Sequence, residues 1–571
     1  MTATGVHAPS ASALLSARRG RGPAELLHAR LLVSGGLADP ALLARLVSLY
    51  AAAGRFRAFH AHHLHAAGLR TYAALIARLA RPHPVLAFSL FALSSSSSRH
   101  ALRTSCHVIS AVLTACACLP LIYGRQVHAC AVKVVPPRDV FVYTGLVDVY
   151  AKCGDMVASR KAFDEMPRRC VPSWNALVVG YARNGMFLEA LRVFKELVEQ
   201  GLEVPLDQVS LSSALSACTG ARNTRFGRQL HTYSIKVGLD VSALCVTNAL
   251  LDMYTKCCCF REALVLFDAT GCKDVVTWNI VIVGCLHENR FKEACVMFRS
   301  MFRGGILPDD VSFATALQAS ACLASCILGA TIHASVVKTG FSDSPGLSSS
   351  LITMYAKCGC LDDARRAFDL AEDHLCVMSW TAMITALQQH GHGGQAIDLF
   401  ETMLEKGIKP DHVTFVSVLS SCSHSGLVEE GRKYFNLMTQ VHRITPWSEH
   451  YACMIDMFGR ADLLSEAKQL IDQMPVKPDE SVLGALLAAS LNCGELELGK
   501  KVAMKLFEIE PSNSGNYVLL ANIYASHGRL EAANEVRRWM AYQEIIKEKG
   551  CSLFNIENRI NGLFGGFQKL H

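Results

Sequence analysis

Three sets of markers recur along this chain at one spacing, and that shared spacing constrains its fold more than any other feature. YAAAG, YAKCG, YTKCC and YAKCG open at Tyr50, Tyr150, Tyr254 and Tyr355, with separations of 100, 104 and 101 residues. Tyr72, Trp174, Trp278 and Trp380 repeat at 102, 104 and 102. His28, His128, His231 and His333 open HAR, HAC, HTY and HAS. Independent markers with a common period signal stacked repeats, each burying its apolar face only against its neighbours.

Each period divides into three units. The clearest run is 140–170, 171–207 and 208–243, then 244–274, 275–309 and 310–344, then 345–376, 377–411 and 412–447. Units 40–68, 69–105 and 106–139 precede it in degraded form, and 22–39 looks like the remnant of an earlier one. Units 448–479, 480–513 and 514–550 follow. Within 377–411, Trp380, Met383, Ile384 and Leu387 fall at helical spacing, and Gly391, Gly393 and Gly394 interrupt it. Ala396, Phe400 and Met403 then form a second stripe, which Gly407 and Pro410 end. Unit 275–309 repeats this with Trp278, Val281, Ile282, Ala294, Phe298 and Met301. Two amphipathic helices per unit predict an all-α, right-handed superhelical solenoid of stacked helix-turn-helix repeats.

Charge does not locate a binding surface. The net charge is +7, but residues 1–138 carry fifteen Lys or Arg against two acids, Glu25 and Asp39, a balance of +13. The remaining residues sum to −6, so the body is mildly acidic. Residues 1–21 hold Ala, Ser and Arg, no acid, and no continuous apolar core of a secretory signal. They read as an organelle transit peptide or a disordered leader, with mitochondrion as the expected compartment and chloroplast as the alternative. The uncharged stretch 104–124 contains His, Ser, Thr and Pro120 and reads as helical repeat, so no membrane span is expected.

The 23 cysteines are too dilute for a disulfide-stapled fold. Cys153, Cys257 and Cys358 occupy one repeat position, and Cys116, Cys218 and Cys422 another, which reads as small buried helix residues. His128, His231 and His333 stand a full period apart rather than in one cluster. No metal site, cofactor or catalytic residue is expected.

WTAMI (380–384) and WNIVI (278–282), with the endings GIKPD (407–411) and GILPD (305–309), resemble the pentatricopeptide repeat (PPR) family more than its tetratricopeptide relative. The short units LVDVYAKCGD, LLDMYTKCCC and LITMYAKCGC, and the long-unit segments GRQVHACAVK, GRQLHTYSIK and GATIHASVVK, are similar to the plant PLS subclass. The resemblance divides the chain into degenerate units at 22–139, a PLS array at 140–479 and an E-type helical extension at 480–561. GLFGGFQKLH, at 562–571, departs from the usual continuation. No HxE element or paired CxxC motif appears near the C-terminus, so the resemblance is to a member lacking the DYW deaminase domain.

The resemblance implies single-stranded RNA as ligand, read one base per repeat by the fifth and last residues of each unit. The pairs are Asn175/Asp207, Asn248/Asp274, Asn279/Asp309 and Thr381/Asp411. By resemblance, Asn/Asp favours pyrimidines, uracil above cytosine, and Thr/Asp favours guanine. Thr144 and Ser349 are candidate readers in units closing on Cys170 and Cys376, whereas Ala73 removes the polar group. Ser110, Ser212, Ala314 and Val416 hold the fifth site of long units and remain undecoded. A terminal Asp also suits a helix N-cap. Lys152, Lys256 and Lys357 follow the marker Tyr and are candidate phosphate contacts, or cations complementing a helix C-terminus.

The expected function is therefore that of a noncatalytic specificity factor for organellar C-to-U RNA editing. A deaminase-bearing PPR protein or auxiliary editing factor would act in trans. RNA splicing, stability or translation is the second reading, and a protein-binding helical adaptor the third.

Overall fold

The computed structural model describes residues 40–52, 69–93, 105–134, 139–200, 206–239, 243–341, 344–371 and 375–545. The leader 1–21, the fragment 22–39 and the tail 562–571 lie outside them. Among the described residues the regular structure is entirely helical. The chain forms two compact units, Met1–Lys273 and Asp274–His571.

Among the described residues of the first unit, helix Pro40–Ala52 precedes six hairpins. They pair Leu69–Leu79 with Pro84–Leu93, Cys106–Cys116 with Leu121–Val134, and Val140–Lys152 with Met156–Asp164. Val171–Arg183 with Phe187–Glu199, Gln208–Gly220 with Thr224–Val237, and Leu244–Lys256 with Phe260–Ala269 complete it. The second unit opens with Val275–His287 and Phe291–Arg303, Asp310–Cys322 and Cys326–Lys338, and Pro345–Lys357 and Leu361–Leu370. Val377–Gln389 and Gly393–Glu405 follow, then His412–Ser425 and Val428–Asn436, the latter running into a π-helical turn at Leu437–Val441. Ser448–Arg460 with Leu464–Asp472, Glu480–Asn492 with Leu496–Ile509, and Ser514–Ser526 with Leu530–Tyr542 end it.

Within each compact unit, the first helix of each hairpin, A, packs on its neighbouring A helices as well as on its own partner, B. Helix Pro345–Lys357, for example, meets Asp310–Cys322, Val377–Gln389 and Leu361–Leu370. An A helix is therefore buried over a broad face: in Val377–Gln389, Trp380, Met383, Ile384, Ala386 and Leu387 are all core. Its B helix buries a narrow stripe of Ala396, Ile397, Phe400 and Met403. Trp278 is only partly buried, unlike Trp174 and Trp380.

Consecutive hairpins are joined by three repeated contacts. Phe163 of a B helix meets Trp174 of the next A helix edge-on at 4.6 Å, and Phe368 meets Trp380 at 5.0 Å. The glycine of each long-unit GR or GA segment is a notch for the next A helix. A Cβ on Gly227 would stand 2.7 Å from Met253 Sδ, and one on Gly329 would stand 2.1 Å from Met354 Sδ. Gly431 receives Met457, and Gly499 receives Ile523, so 480–542 is assembled by the same joint as the repeats before it. Third, His128, His231 and His333 Nδ1 lie 2.7, 2.8 and 3.0 Å from the hydroxyls of Tyr150, Tyr254 and Tyr355. Two of the three marker sets that reveal the period thus touch each other.

The cysteines divide differently from expectation. Cys116, Cys218 and Cys422 are fully buried. Cys153, Cys257 and Cys358 are only partly buried and cap the C-termini of their A helices, because the chain leaves the helix there. The next residue turns left-handed: Gly154 has φ +83° and Gly359 +80°, but the third unit places Cys258 there at φ +59°. A Cβ in that region costs roughly 1–2 kcal/mol. Cys258→Gly is expected to raise the denaturation free energy by about 1 kcal/mol, which urea titration will measure.

Candidate nucleic-acid interface

The last residue of a unit stands immediately before the next A helix, so it is that helix's N-cap. Asp139, Asp207, Asp274, Asp309, Asp411 and Asp479 each accept hydrogen bonds there from first-turn backbone N–H groups. Such an acceptor satisfies donors that a helix start leaves unbonded. Capping accounts for the carboxylate's position; it does not account for what else the carboxylate binds.

In the second unit, Asn279 Nδ2 donates to Asp309 Oδ1 at 2.9 Å. Ser312, the third residue of the following A helix, donates its hydroxyl to Asn279 Oδ1 at 2.5 Å and lies 2.8 Å from Asp309 Oδ1. The first unit repeats the arrangement. Asn175 Nδ2 donates to Asp207 Oδ1 at 3.2 Å, and Ser210 Oγ lies 2.7 Å from Asn175 Oδ1 and 2.8 Å from Asp207 Oδ1. Fifth residue, cap and next third residue form a closed polar triad.

The Thr unit reaches the same closure by another route. Thr381 Oγ1 lies 2.7 Å from Thr414 Oγ1, which donates to Asp411 Oδ1 at 2.8 Å. The ladder between these two A helices continues with Thr385 and Ser417 at 2.7 Å and Gln388 and Ser420 at 3.1 Å. Asn248 and Asp274 belong to different compact units and are described singly: Asn248 lies in Leu244–Lys256, and Asp274 caps Val275–His287.

Asn175, Asn279 and Thr381 are more than nine-tenths buried. They therefore form the floor of the surface rather than its rim. The surface above them is visible where the A helices part. An open groove of about 430 Å³ is lined by Ser349, Thr353, Lys357, Thr381, Thr385 and Asp411, among others. A second, of about 350 Å³, runs past Ser110, Thr114, Phe141, Thr144 and Asp148. Both collect the fifth and ninth residues of neighbouring A helices.

One element of this surface was not recognised in the sequence. The second residue of the A helix is apolar yet at least half exposed in Phe141, Val209, Val276, Val311, Met378 and Val413. Exposed apolar groups at one repeat position, beside a polar floor, suit the flat faces of an aromatic ligand. Its signal lay in DVF, DVV, DQV, DDV and DHV across the unit boundaries. The third-residue Ser or Thr was equally legible as the D-x-x-S/T of a cap, but its bond to the fifth residue was not.

Other candidates are placed less favourably. Thr144 Oγ1 donates back to Val140 O at 2.7 Å, and Ser349 Oγ to Gly346 O at 3.0 Å. Their units close on Cys170 and Cys376, which supply no carboxylate. Ala73 lies in Leu69–Leu79 with no polar side chain. Lys152, Lys256 and Lys357 are the last residues of their A helices, where a cation complements the helix dipole. Lys152 pairs with Asp148 at 2.6 Å and Lys256 with Asp252 at 2.9 Å. Lys357 has Thr353 four residues back and lines the groove.

Burial alone would push Asp207 and Asp309 up, but the hydrogen bonds from Ser210 and Asn175, and from Ser312 and Asn279, outweigh it and hold both below the ordinary 3.8. A depressed folded value contributes stability above the unfolded value, and that stability is lost as pH falls through the folded one. Circular dichroism during acid titration should show a loss below about pH 4 that Asp309→Asn makes shallower.

Among the described residues no helix is long and apolar enough to cross a membrane. The PPR repeat model matches residues 141–171, 172–202, 348–373, 413–441 and 449–477, and the PPR repeat family model matches 273–321 and 375–424. An E motif matches 493–555. Pentatricopeptide repeat-containing protein At2g13600 of Arabidopsis thaliana is 38% identical over 486 residues, spanning 78% of this chain and 69% of that one. Two further Arabidopsis thaliana relatives, each 37% identical, are At2g03380, named mitochondrial, and At3g49170, named chloroplastic. Matches to them span 77% and 80% of this chain and 64% and 54% of theirs. Against eight such relatives, the chain spans from 46% to 69% of their length. The crystal structure of the pentatricopeptide repeat protein PPR10 from maize superposes with a TM-score of 0.58 at 18% identity, covering 94% of this chain and 88% of that one. It shares the fold. With its repeats, its E motif and these relatives, the chain is a member of the pentatricopeptide repeat family.

Proposed function

We propose that this protein binds single-stranded RNA sequence-specifically as a noncatalytic specificity factor for organellar C-to-U editing, with the deaminase supplied in trans. The observation that carries the reading is the triad of fifth residue, cap and third residue, which recurs beside an exposed apolar second residue. An Asn amide has two N–H donors and two acceptor lone pairs. In Asn279 the Asp309 carboxylate takes one donor and Ser312 fills one lone pair, which leaves one donor beside one acceptor. Uracil presents the complementary carbonyl and N3–H. Thr381 offers a single hydroxyl, already shared with Thr414, and so presents a different pattern. Lys357, and Lys152 and Lys256 after release from their weak i,i+4 pairs, supply phosphate contacts.

The E motif at 493–555 supports editing over splicing, stability or translation, because the resemblance associates that extension with editing. The names of the mitochondrial and chloroplastic relatives support an organellar location.

Transcript sequencing in a plant line lacking this protein tests the reading. Loss of one or a few C-to-U conversions with intact splicing is the expected result; unchanged editing throughout both organelles would overturn it. At the level of one repeat, Asn279→Thr should move the preferred base at a single nucleotide from pyrimidine toward purine, read by binding to a randomised RNA pool. An unaltered preference would refute the assigned register.

A further inference from the structure

The junction between repeats 310–344 and 345–376 differs from its counterparts. At three other notches, those of Gly124, Gly227 and Gly431, the next residue is an arginine that bridges to an acid near the start of the next B helix. Arg125 meets Asp155 at 3.1 Å, Arg228 meets Glu262 at 2.8 Å and Arg432 meets Glu466 at 2.5 Å. Here Gly329 is followed by Ala330, and Asp363, the counterpart of Glu262 and Glu466, pairs with Arg366 of its own helix at 2.7 Å. The same junction holds two thiols. Cys326 begins the B helix Cys326–Lys338, Cys360 caps the next B helix Leu361–Leu370, and their sulfurs are 3.1 Å apart. Both are free and partly exposed.

We propose that Cys326 and Cys360 are a thiol–disulfide pair that covalently locks repeat 310–344 to repeat 345–376 where other junctions use an ion pair. A disulfide needs about 2.0 Å between sulfurs, so the thiols must approach by only about 1 Å. The oxidant is a low-molecular-weight disulfide. The Cys326 thiolate attacks one of its sulfurs, forming a mixed disulfide and releasing one small thiol. Cys360 then loses its proton and attacks Cys326 Sγ, closing the protein disulfide and expelling the second small thiol. Two electrons pass to the small disulfide, and the two protein protons end on the released thiols.

Burial, the hydrogen bond to Cys326, and the neighbouring Cys358 and Asp363 hold the Cys360 thiol well above its ordinary value. Cys358 stands by as the competing sulfur, but its thiol faces Ser320 O and Met354 Sδ.

The test uses the full-length chain equilibrated in reduced and oxidised glutathione, then alkylated and mapped by mass spectrometry without reduction. The expected product is a peptide joined through Cys326 and Cys360, absent in Cys360→Ser, which should instead retain glutathione on Cys326. Hydrogen exchange should slow on oxidation within 326–370 in the natural chain alone. Alkylation of both residues in oxidising buffer would overturn the proposal, as would a Cys326–Cys358 link. Protection of both by added zinc without any cross-link would overturn it too, and would make Cys326, Cys360 and Asp363, whose ligand atoms lie within 4.8 Å of one another, a metal site.

Discussion

Replacing Trp380 with alanine is expected to remove about 3–5 kcal/mol of stability from the second compact unit, measured by chemical denaturation. The ring is 2% exposed, meets Phe368 edge-on at 5.0 Å and has Lys406 Nζ 5.5 Å from its centroid. It is the wedge between one B helix and the next A helix, so its loss opens a cavity at a repeat junction. One effect opposes this. The indole Nε1 is buried with no hydrogen-bond partner, and its removal relieves a desolvation cost of about 1–3 kcal/mol. Trp380→Phe removes that N–H while keeping an aromatic ring and should stay within about 1.5 kcal/mol of the natural chain. A loss equal to that of alanine would show that shape, not burial, dominates the joint.

Asp309→Ala is expected to cost about 2–4 kcal/mol of stability and to weaken RNA discrimination at one nucleotide by roughly 5- to 100-fold. The carboxylate Oδ1 accepts from Ser312 N and Asn279 Nδ2, each at 2.9 Å, and lies 2.8 Å from Ser312 Oγ. Alanine removes the cap and leaves a nine-tenths-buried Asn amide without its acceptor. Freed of that bond, Asn279 can rotate and loses its fixed donor and acceptor pattern. Asp309→Asn keeps an oxygen at the cap and separates the two effects. Fluorescence anisotropy with matched and single-mismatch RNA reads the recognition part. A variant that loses stability but keeps full base discrimination would reduce Asp309 to a cap.

The helices were legible because their determinants are short-range. The spacing of Trp380, Met383, Ile384 and Leu387, and the Asp before six of the A helices, act within one or two turns. The A helices accordingly begin at Val140, Val171, Gln208, Leu244, Val275, Asp310, Pro345, Val377 and His412. The candidate site was legible only in part. Asn279 and Asp309 stand 30 positions apart and were paired through a family resemblance, whereas their bond through Ser312 joins residues of two hairpins. Nothing in the local pattern states that a capping serine also holds the fifth residue of the preceding unit. The partial burial of Cys153, Cys257 and Cys358 was missed for a similar reason: recurrence identifies a repeat position without saying which side of it faces solvent.

The sequence by itself determined the period, the two helices per unit and the capping residues, since periodicity and caps are properties of contiguous chain. Tertiary structure alone decided which markers meet. His128 finds Tyr150, Gly329 receives Met354, and Cys326 comes to face Cys360. Each of these contacts depends on the offset at which one hairpin stacks on the next. The side chains packed between them set that offset, and it leaves no periodic trace in either helix.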